Sequence, residues 1–276
     1  MIKVPKFIIF LLKLIGIYNY SKFIYYKYLR FFKLVKDNLE NNLFSIFLNS
    51  YDEIQFIDVG CYKGSKIDCI MNINSYSKVI GIEPFVNYYE KLKKKYINKN
   101  NVKILNYAIS DKNEYKNFYY NNNITDKEAF SLIKQKKLNK IQKIKCVKLT
   151  EILKKKKISI IKIDTEGSEF KILNASKEIL KNQRPVFFVE TTNLTYKHVC
   201  NLFKINNYKV FVYEINIFKK KLKNNWIFNN VIKNDEYNNE LFCYKKFLKL
   251  KKDFMFNIIA IPFEKQNKLQ NIKIQY

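Results

Sequence analysis

From residue 54 onward, short apolar runs alternate with longer stretches whose apolar residues recur at helical spacing. The runs at about 54–59, 78–83, 102–108, 158–164, 185–190, 208–215 and 256–262 read as strands, and helices read at about 64–73, 86–98, 150–156, 168–182 and 194–206. This rhythm predicts an α/β fold: a mostly parallel seven-stranded sheet with helices on both faces. Thr150 is a fitting N-cap for the helix that begins Glu151-Ile152-Leu153, and Pro84 stops the second strand from continuing. Two segments break the rhythm. Residues 109–149 replace one helix with polar, aromatic-rich chain that reads as a small hairpin. Residues 216–255 are a second polar insertion, containing Lys219-Lys220-Lys221 and the lone Trp226.

The first 52 residues follow a different pattern and read as an N-terminal helical, basic and aromatic extension to a main domain at 53–276. Phe7 to Leu12 is strongly apolar, but Lys13 ends it, far short of the roughly 20 apolar residues a membrane-spanning helix needs. No small-residue cleavage site follows that would mark a signal peptide. Two helical stretches remain, at about 5–16 and 21–48. They suit either an accessory helical layer on the domain or a basic amphipathic surface making peripheral membrane contact through residues 1–50.

Composition narrows the partners. The apolar share of 47% supports a sizeable core. The net charge of +28 invites a nucleic-acid reading, yet Arg30 and Arg184 are the only arginines. Lysine is a hydrated point charge, whereas arginine reads phosphates and bases bidentately. Abundant Lys, Asn and Ile beside 5 Gly and 4 Pro read as a chain-wide compositional bias, which argues against nucleic acid as the partner. Five scattered cysteines without C-x-x-C spacing argue against a zinc site and a disulfide framework, and favour a reducing, cytoplasmic setting, with the inner membrane face as a variant of it.

Three strands end in a carboxylate and a turn: Phe56-Ile57-Asp58-Val59-Gly60-Cys61-Tyr62-Lys63-Gly64, Val79-Ile80-Gly81-Ile82-Glu83-Pro84, and Ile160-Ile161-Lys162-Ile163-Asp164-Thr165-Glu166-Gly167-Ser168-Glu169. In an open parallel sheet, ligands sit outside the carboxyl ends of the strands. Gly60 lets the backbone approach a ligand, and the helix starting near Gly64 offers free amides. Glu83 suits two ribose hydroxyls, so the set points to an adenosine-containing ligand. Tyr62 stands where a dinucleotide fingerprint needs its central glycine, which weakens a dinucleotide reading.

In these segments the chain resembles the FkbM-type S-adenosylmethionine-dependent methyltransferases, of the Rossmann-like methyltransferase fold. The resemblance covers about residues 54–192 well, and more loosely extends to 262. The Asp58–Gly64 turn resembles the family's D-V-G-A-N-x-G, with Cys61 and Tyr62 replacing a small residue and Asn. Gly81-Ile82-Glu83-Pro84 resembles the E-P ribose motif. Asn106-Tyr107-Ala108-Ile109-Ser110-Asp111 resembles the segment bordering the adenine, and Val147–Leu153 is similar to the lead-in before the next strand. Ile161–Glu169 followed by Leu173 resembles K-I-D-x-E-G-x-E-x-x-V/L. The resemblance implies methyl transfer, most directly to oxygen, with S-adenosyl-L-methionine as cofactor. It implies cofactor contacts at Asp58, Gly60, Tyr62, Gly64, Glu83, Pro84, Asn106, Ala108 and Asp164.

An alcohol acceptor needs a base nearby, worth typically ~10²–10⁴-fold. Asp164 and Glu166 are the candidates for base and acceptor positioning, and Glu169 and Glu190 come next. Asp164 and Glu166 equally suit capping of the helix near Gly167. A divalent metal held by Asp164, Glu166 and Glu190 is the minor alternative to a metal-free site. The lone histidine, His198, reads as a solvent-facing helix residue. The acceptor expected is a small molecule or a glycan, because Tyr115, Phe118, Tyr119, Tyr120 and Trp226 suit stacking on sugar rings. The competing readings are an RNA methyltransferase, motivated by charge, and a non-enzymatic membrane-peripheral module, motivated by residues 1–50.

Overall fold

The computed structural model describes residues 38–48, 54–120, 130–131, 140–153, 158–165, 167–192, 194–217, 240–243, 254–269 and 273–275. In chain order these form α1 (Asn38–Leu48), β1 (Gln55–Val59), α2 (Ser65–Ile73), β2 (Lys78–Ile82), α3 (Val86–Lys95) and β3 (Val102–Leu105). Next come β4 (Ala108–Ser110), β5 (Glu114–Tyr120), β6 (Phe130–Ser131), β7 (Lys140–Lys148), α4 (Leu149–Ile152), β8 (Ile160–Ile163) and α5 (Glu169–Asn174). The chain continues through β9 (Val186–Thr192), α6 (Tyr196–Ile205), β10 (Tyr208–Ile217), β11 (Glu240–Cys243), β12 (Phe254–Pro262) and β13 (Lys273–Gln275).

All seven strands expected from the sequence enter one sheet, in the order β10-β12-β9-β8-β1-β2-β3, and two short strands extend its edge as β13-β11. The block from β3 to β9 is parallel, whereas β12 and β10 run antiparallel to their neighbours. The fold is α/β and Rossmann-like, its parallel character confined largely to the half that holds the strand-end carboxylates. Side-chain alternation divides the core between two faces. One carries Ile57, Ile161, Ile163, Phe187 and Val189 against α5 and α6. The other carries Phe56, Val79, Ile160, Val186 and Phe188 against α1, α2 and α3. Phe44 of α1 seats its ring 4.3 Å from that of Phe188 and 5.7 Å from that of Phe56. Burying such a ring fully contributes about 2–3 kcal/mol, so α1 belongs to the core of the sheet domain.

The segment expected as a small hairpin at 109–149 is larger: a second sheet, β4-β7-β5-β6, formed with the end of the predicted third strand. The predicted strand 102–108 breaks after Leu105. Asn106 turns its amide back onto the Glu83 and Pro84 carbonyls at 2.9 and 3.0 Å, and the chain leaves the main sheet there. Phe118, Ile144, Cys146 and Ala108 then pack against Phe85 and Tyr88 beside the second strand end.

Two helix expectations are corrected. Thr150 lies inside α4, whose N-cap is Lys148, because β7 runs on to the residue before the helix. The helix expected at 168–182 is interrupted after Asn174. A π-helical turn at Ile179–Gln183 follows and ends at Arg184, in left-handed conformation with φ 49°. Arg184 is fixed there by a fork onto Glu264 at 2.6 and 2.8 Å and by the Asn206 and Asn207 carbonyls. Residues 1–37, Lys154–Lys157, Lys219–Lys221, Trp226 and Lys245–Lys252 lie outside the described residues. Among the described residues no helix is long and apolar enough to cross a membrane.

Candidate functional site

The ends of β1, β2 and β8 form one tight knot of backbone. The Asp164 amide donates to the Val59 carbonyl at 3.0 Å, and the Gly60 amide donates to the Ile82 carbonyl at 2.9 Å. Gly60 has φ +81°, and a Cβ placed on it would sit 1.9 Å from the Asp164 carbonyl oxygen. Both facts admit only glycine. The strand ends are thus pinned together, and the carboxylates they carry share one neighbourhood.

Glu83 is buried, and its carboxylate organises the turns around it. Oε2 accepts from the Tyr62 amide at 2.8 Å, and Oε1 accepts from the Phe85 amide at 2.9 Å. Burial pushes its carboxyl up to about 7, against the lowering effect of those two amides. Tyr62 occupies φ 49°, a conformation costing about 1–2 kcal/mol for a residue with a side chain. Compensation is visible: its ring lies edge-on to Tyr88 at 4.5 Å, and the Tyr88 hydroxyl donates to the Tyr62 hydroxyl at 3.2 Å.

Asp58 is the unusual group. Only 1% exposed, it has no hydrogen-bond partner for either carboxylate oxygen among the described residues. Burial raises its carboxyl to about 7; the nearby Lys162 ammonium lowers it and Asp164 raises it again. Asp58 and Lys162 are register partners on β1 and β8, so their side chains leave the same face of the sheet. Lys162 is itself buried, and its Nζ donates to Asp164 Oδ2 at 2.8 Å. Burial alone would lower the Lys162 ammonium, but Asp164 and Asp58 outweigh it and hold it above the usual lysine range. Burial likewise raises Asp164, yet the Lys162 charge, the Lys162 hydrogen bond and a hydrogen bond shared with Glu190 hold its carboxyl below the usual range.

The remaining candidates separate. Glu169 is 1% exposed, and its Oε1 accepts from the Thr165 amide, the Thr165 hydroxyl and the Gly167 amide at 2.9–3.1 Å. Its place among the catalytic candidates is therefore corrected: it ties down the turn after β8 and is shut away from a substrate. Capping of α5 by Asp164 is also corrected, since Ser168 is the N-cap and has no side-chain cap bond. Glu166 lies outside the described residues. Glu190, half-buried on β9, reaches Asp164. Gly64, at φ +76°, faces Tyr96 and Leu92; a Cβ there would lie 2.5 Å from the Tyr96 hydroxyl. The Pro84 carbonyl accepts from the Asn106 amide in the turn after β2, and Ala108 opens the second sheet against Phe85. His198 is exposed on α6, its ring 5.4 Å from Phe170. Among the described residues no cluster of His, Cys, Asp and Glu could hold a metal ion.

Lys162 was readable only as part of a motif; a lone lysine inside Ile160-Ile161-Lys162-Ile163 is the signal that it is a buried counter-ion. A second, partly buried ion pair escaped sequence reading altogether. Lys66 at the start of α2 bonds Glu40 of α1, and the Lys66 charge also lowers Asp164. It joins two segments with no shared motif.

Residues 58–210 match the methyltransferase FkbM domain. The chain belongs to that family. The matched span begins at Asp58 and includes Glu83, Asp164 and Glu190, while α1 precedes it. Solved structures similar to the chain include the FkbM methyltransferase of Methylobacillus flagellatus KT, at 14% identity and TM-score 0.41, over 58% of this chain and 39% of that one. Another is the precorrin-6y C5,15-methyltransferase of Geobacter metallireducens GS-15, at 13% identity and TM-score 0.43, over 80% and 87% of the two chains. A third is a SAM-dependent O-methyltransferase of Thermotoga maritima, at 11% identity and TM-score 0.43, over 82% and 65%. No curated protein matches the chain.

Proposed function

We propose that this FkbM-family chain is an S-adenosylmethionine-dependent O-methyltransferase acting on a hydroxyl of a carbohydrate or surface glycan. The observation that carries the reading is the buried, unpartnered carboxylate of Asp58 beside Glu83 at the strand ends. An orphaned carboxylate costs free energy unless a cationic or donor group completes it. The ammonium of a methionine moiety has that chemistry, and each Glu83 oxygen keeps a lone pair for a ribose hydroxyl. The residues present therefore fit the cofactor, with Asp58, Gly60 and Glu83 holding it.

When bound, S-adenosylmethionine supplies an electrophilic methyl on a sulfonium. The protein's share is alignment and charge. Asp164, kept ionised by Lys162, is a weak base but a strong hydrogen-bond acceptor, suited to orienting an incoming hydroxyl. Glu166, two residues on, is the candidate to take the hydroxyl proton.

Calorimetry with S-adenosylmethionine tests the cofactor half: micromolar binding that Asp58→Asn weakens at least tenfold is expected. Labelled S-adenosylmethionine offered with fractionated cell envelope tests the acceptor half, with label expected in the glycan fraction. No binding at millimolar ligand, or label only in another class, would overturn the respective half.

A further inference from the structure

The second sheet presents one face to solvent that the methyl-transfer chemistry does not use. On that face Tyr115 and Asn117 of β5 stand opposite Lys145 and Lys143 of β7. Tyr115 is 64% exposed, and Asn117, Lys143 and Lys145 are exposed as well. The Lys143 ammonium lies 5.8 Å from the Tyr115 ring centre, and that of Lys145 lies 5.6 Å from the ring centre of Tyr107. Among the described residues neither ammonium is paired with a carboxylate. Strand geometry spaces the two lysines about 7 Å apart on one side of β7.

The arrangement is a row of two lysine–tyrosine pairs with the Asn117 amide at the end away from Tyr107, opposite Lys143. Each pair offers an ammonium and a phenol to an anion, and the amide offers a donor and an acceptor to hydroxyls. The row starts at Tyr107, next to the Asn106 whose amide holds the Glu83–Pro84 turn, so it runs outward from the cofactor pocket. The inner face of the same sheet, through Phe118, is packed against Phe85.

Resting on the reading of the chain as a glycan methyltransferase, we propose that Tyr107, Tyr115, Asn117, Lys143 and Lys145 form an acceptor subsite for an acidic glycan, one bearing carboxylate groups on successive sugars. Charge complementarity selects an anion. The hydroxyl-matching amide and the phenols select a sugar over a simple anion. Nucleic acid fits less well: each ring already has an ammonium over it instead of two open faces for base stacking, and no arginine is present on the row.

The probe is tetragalacturonic acid, titrated into the purified full chain by calorimetry, with maltotetraose and a short oligothymidylate as comparators. Because the whole chain is basic, Lys94→Gln/Lys99→Gln, at two exposed lysines in and just after α3, serves as a charge-matched control. The expected result is binding of the acidic tetramer and not of maltotetraose. Lys143→Gln/Lys145→Gln and Tyr115→Ala should each weaken it about tenfold or more. The charge-matched control should change it little. Unchanged S-adenosylmethionine affinity in each variant verifies folding. Equal losses in the control, equal binding of the neutral sugar, or tighter binding of the oligothymidylate would each overturn the subsite. A wild-type chain that takes the acidic tetramer but not S-adenosylmethionine would overturn the methyl-transfer reading and leave this one standing.

Discussion

Lys162 Nζ donates to Asp164 Oδ2 at 2.8 Å from within the same strand, two residues apart, while directly facing Asp58 across the rung. One buried cation thus serves two carboxylates that differ in state: Asp164 is held ionised, and Asp58 is lifted to about 7. Lys162 is buried while the Asp164 side chain is partly exposed, so removing the cation leaves a partly screened carboxylate unpaired, at a cost of about 1–3 kcal/mol. Lys162→Met should therefore lower the unfolding free energy by about that amount in urea titrations. It should also raise the Asp164 carboxyl. A loss below about 1 kcal/mol would mean that the pair is screened as fully as an exposed one.

The pH dependence of stability follows from the same carboxyls. Asp58 and Glu83 are raised to about 7, from about 4 in an unfolded chain. The folded protein keeps these protons to higher pH than the unfolded chain does. Their contribution is full below about pH 4 and is lost as pH rises through 7. Asp164 runs the other way, contributing above the unfolded carboxyl value and losing its share on acidification. Between pH 5 and 8 the ligand-free protein should therefore lose stability, and Asp58→Asn should flatten that slope. Urea midpoints at four pH values decide it; parallel slopes for wild type and variant would remove Asp58 as the cause.

If a cation completes Asp58, its arrival must expel the Asp58 proton near neutral pH. Binding of S-adenosylmethionine should then strengthen as pH rises from 6 to 8 and release protons. Calorimetry in buffers of different ionisation enthalpy reads that release directly. Asp58→Asn should abolish much of it, leaving the Glu83 share; an unchanged proton count would separate Asp58 from the cofactor.

Gly60 and Gly81 make a matched pair for testing the strand-end knot. A Cβ on Gly60 meets backbone, the Asp164 carbonyl oxygen at 1.9 Å, and demands a φ that side chains avoid. A Cβ on Gly81 meets only side-chain ends, those of Ile67, Ile104 and Cys61, at 2.7–3.0 Å. Gly60→Ala should cost about 3 kcal/mol or more and disrupt ligand binding, whereas Gly81→Ala should cost about 1 kcal/mol. Similar losses at both sites would show that the knot relaxes.

The parallel half of the sheet was legible because its strands are buried on both faces and read as unbroken apolar runs ending in Asp58, Glu83 and Asp164. The second sheet was not, because β5 and β7 mix Tyr, Lys and Asn, and only their pairing shows that Phe118 faces in while Tyr115 faces out. Motif spacing brought the carboxylates to the right strand ends. It did not show which are free: Glu83 is engaged by two amides and Glu169 by three donors, while Asp58 has none. Such differences depend on where turn amides point. The Glu40–Lys66 pair depends on α1 docking, which no local pattern encodes.

Glu169 offers the cleanest separation of structure from chemistry. Its Oε1 gathers three donors from Thr165 and Gly167, while its Oε2 is buried without a hydrogen-bond partner among the described residues. Burial raises its carboxyl above the usual range. A glutamine keeps the accepting oxygen, so Glu169→Gln should retain methyl transfer within a few-fold, at unchanged S-adenosylmethionine affinity. A general base replaced by glutamine would instead lose roughly 10²–10⁴ in kcat. Glu169→Ala removes the acceptor and leaves the turn donors unpaired, costing about 1–3 kcal/mol each where they stay buried. It should lower kcat by loosening the turn that follows Asp164, and it should lower the urea midpoint in parallel. A kcat collapse in Glu169→Gln without loss of stability would return Glu169 to the catalytic set.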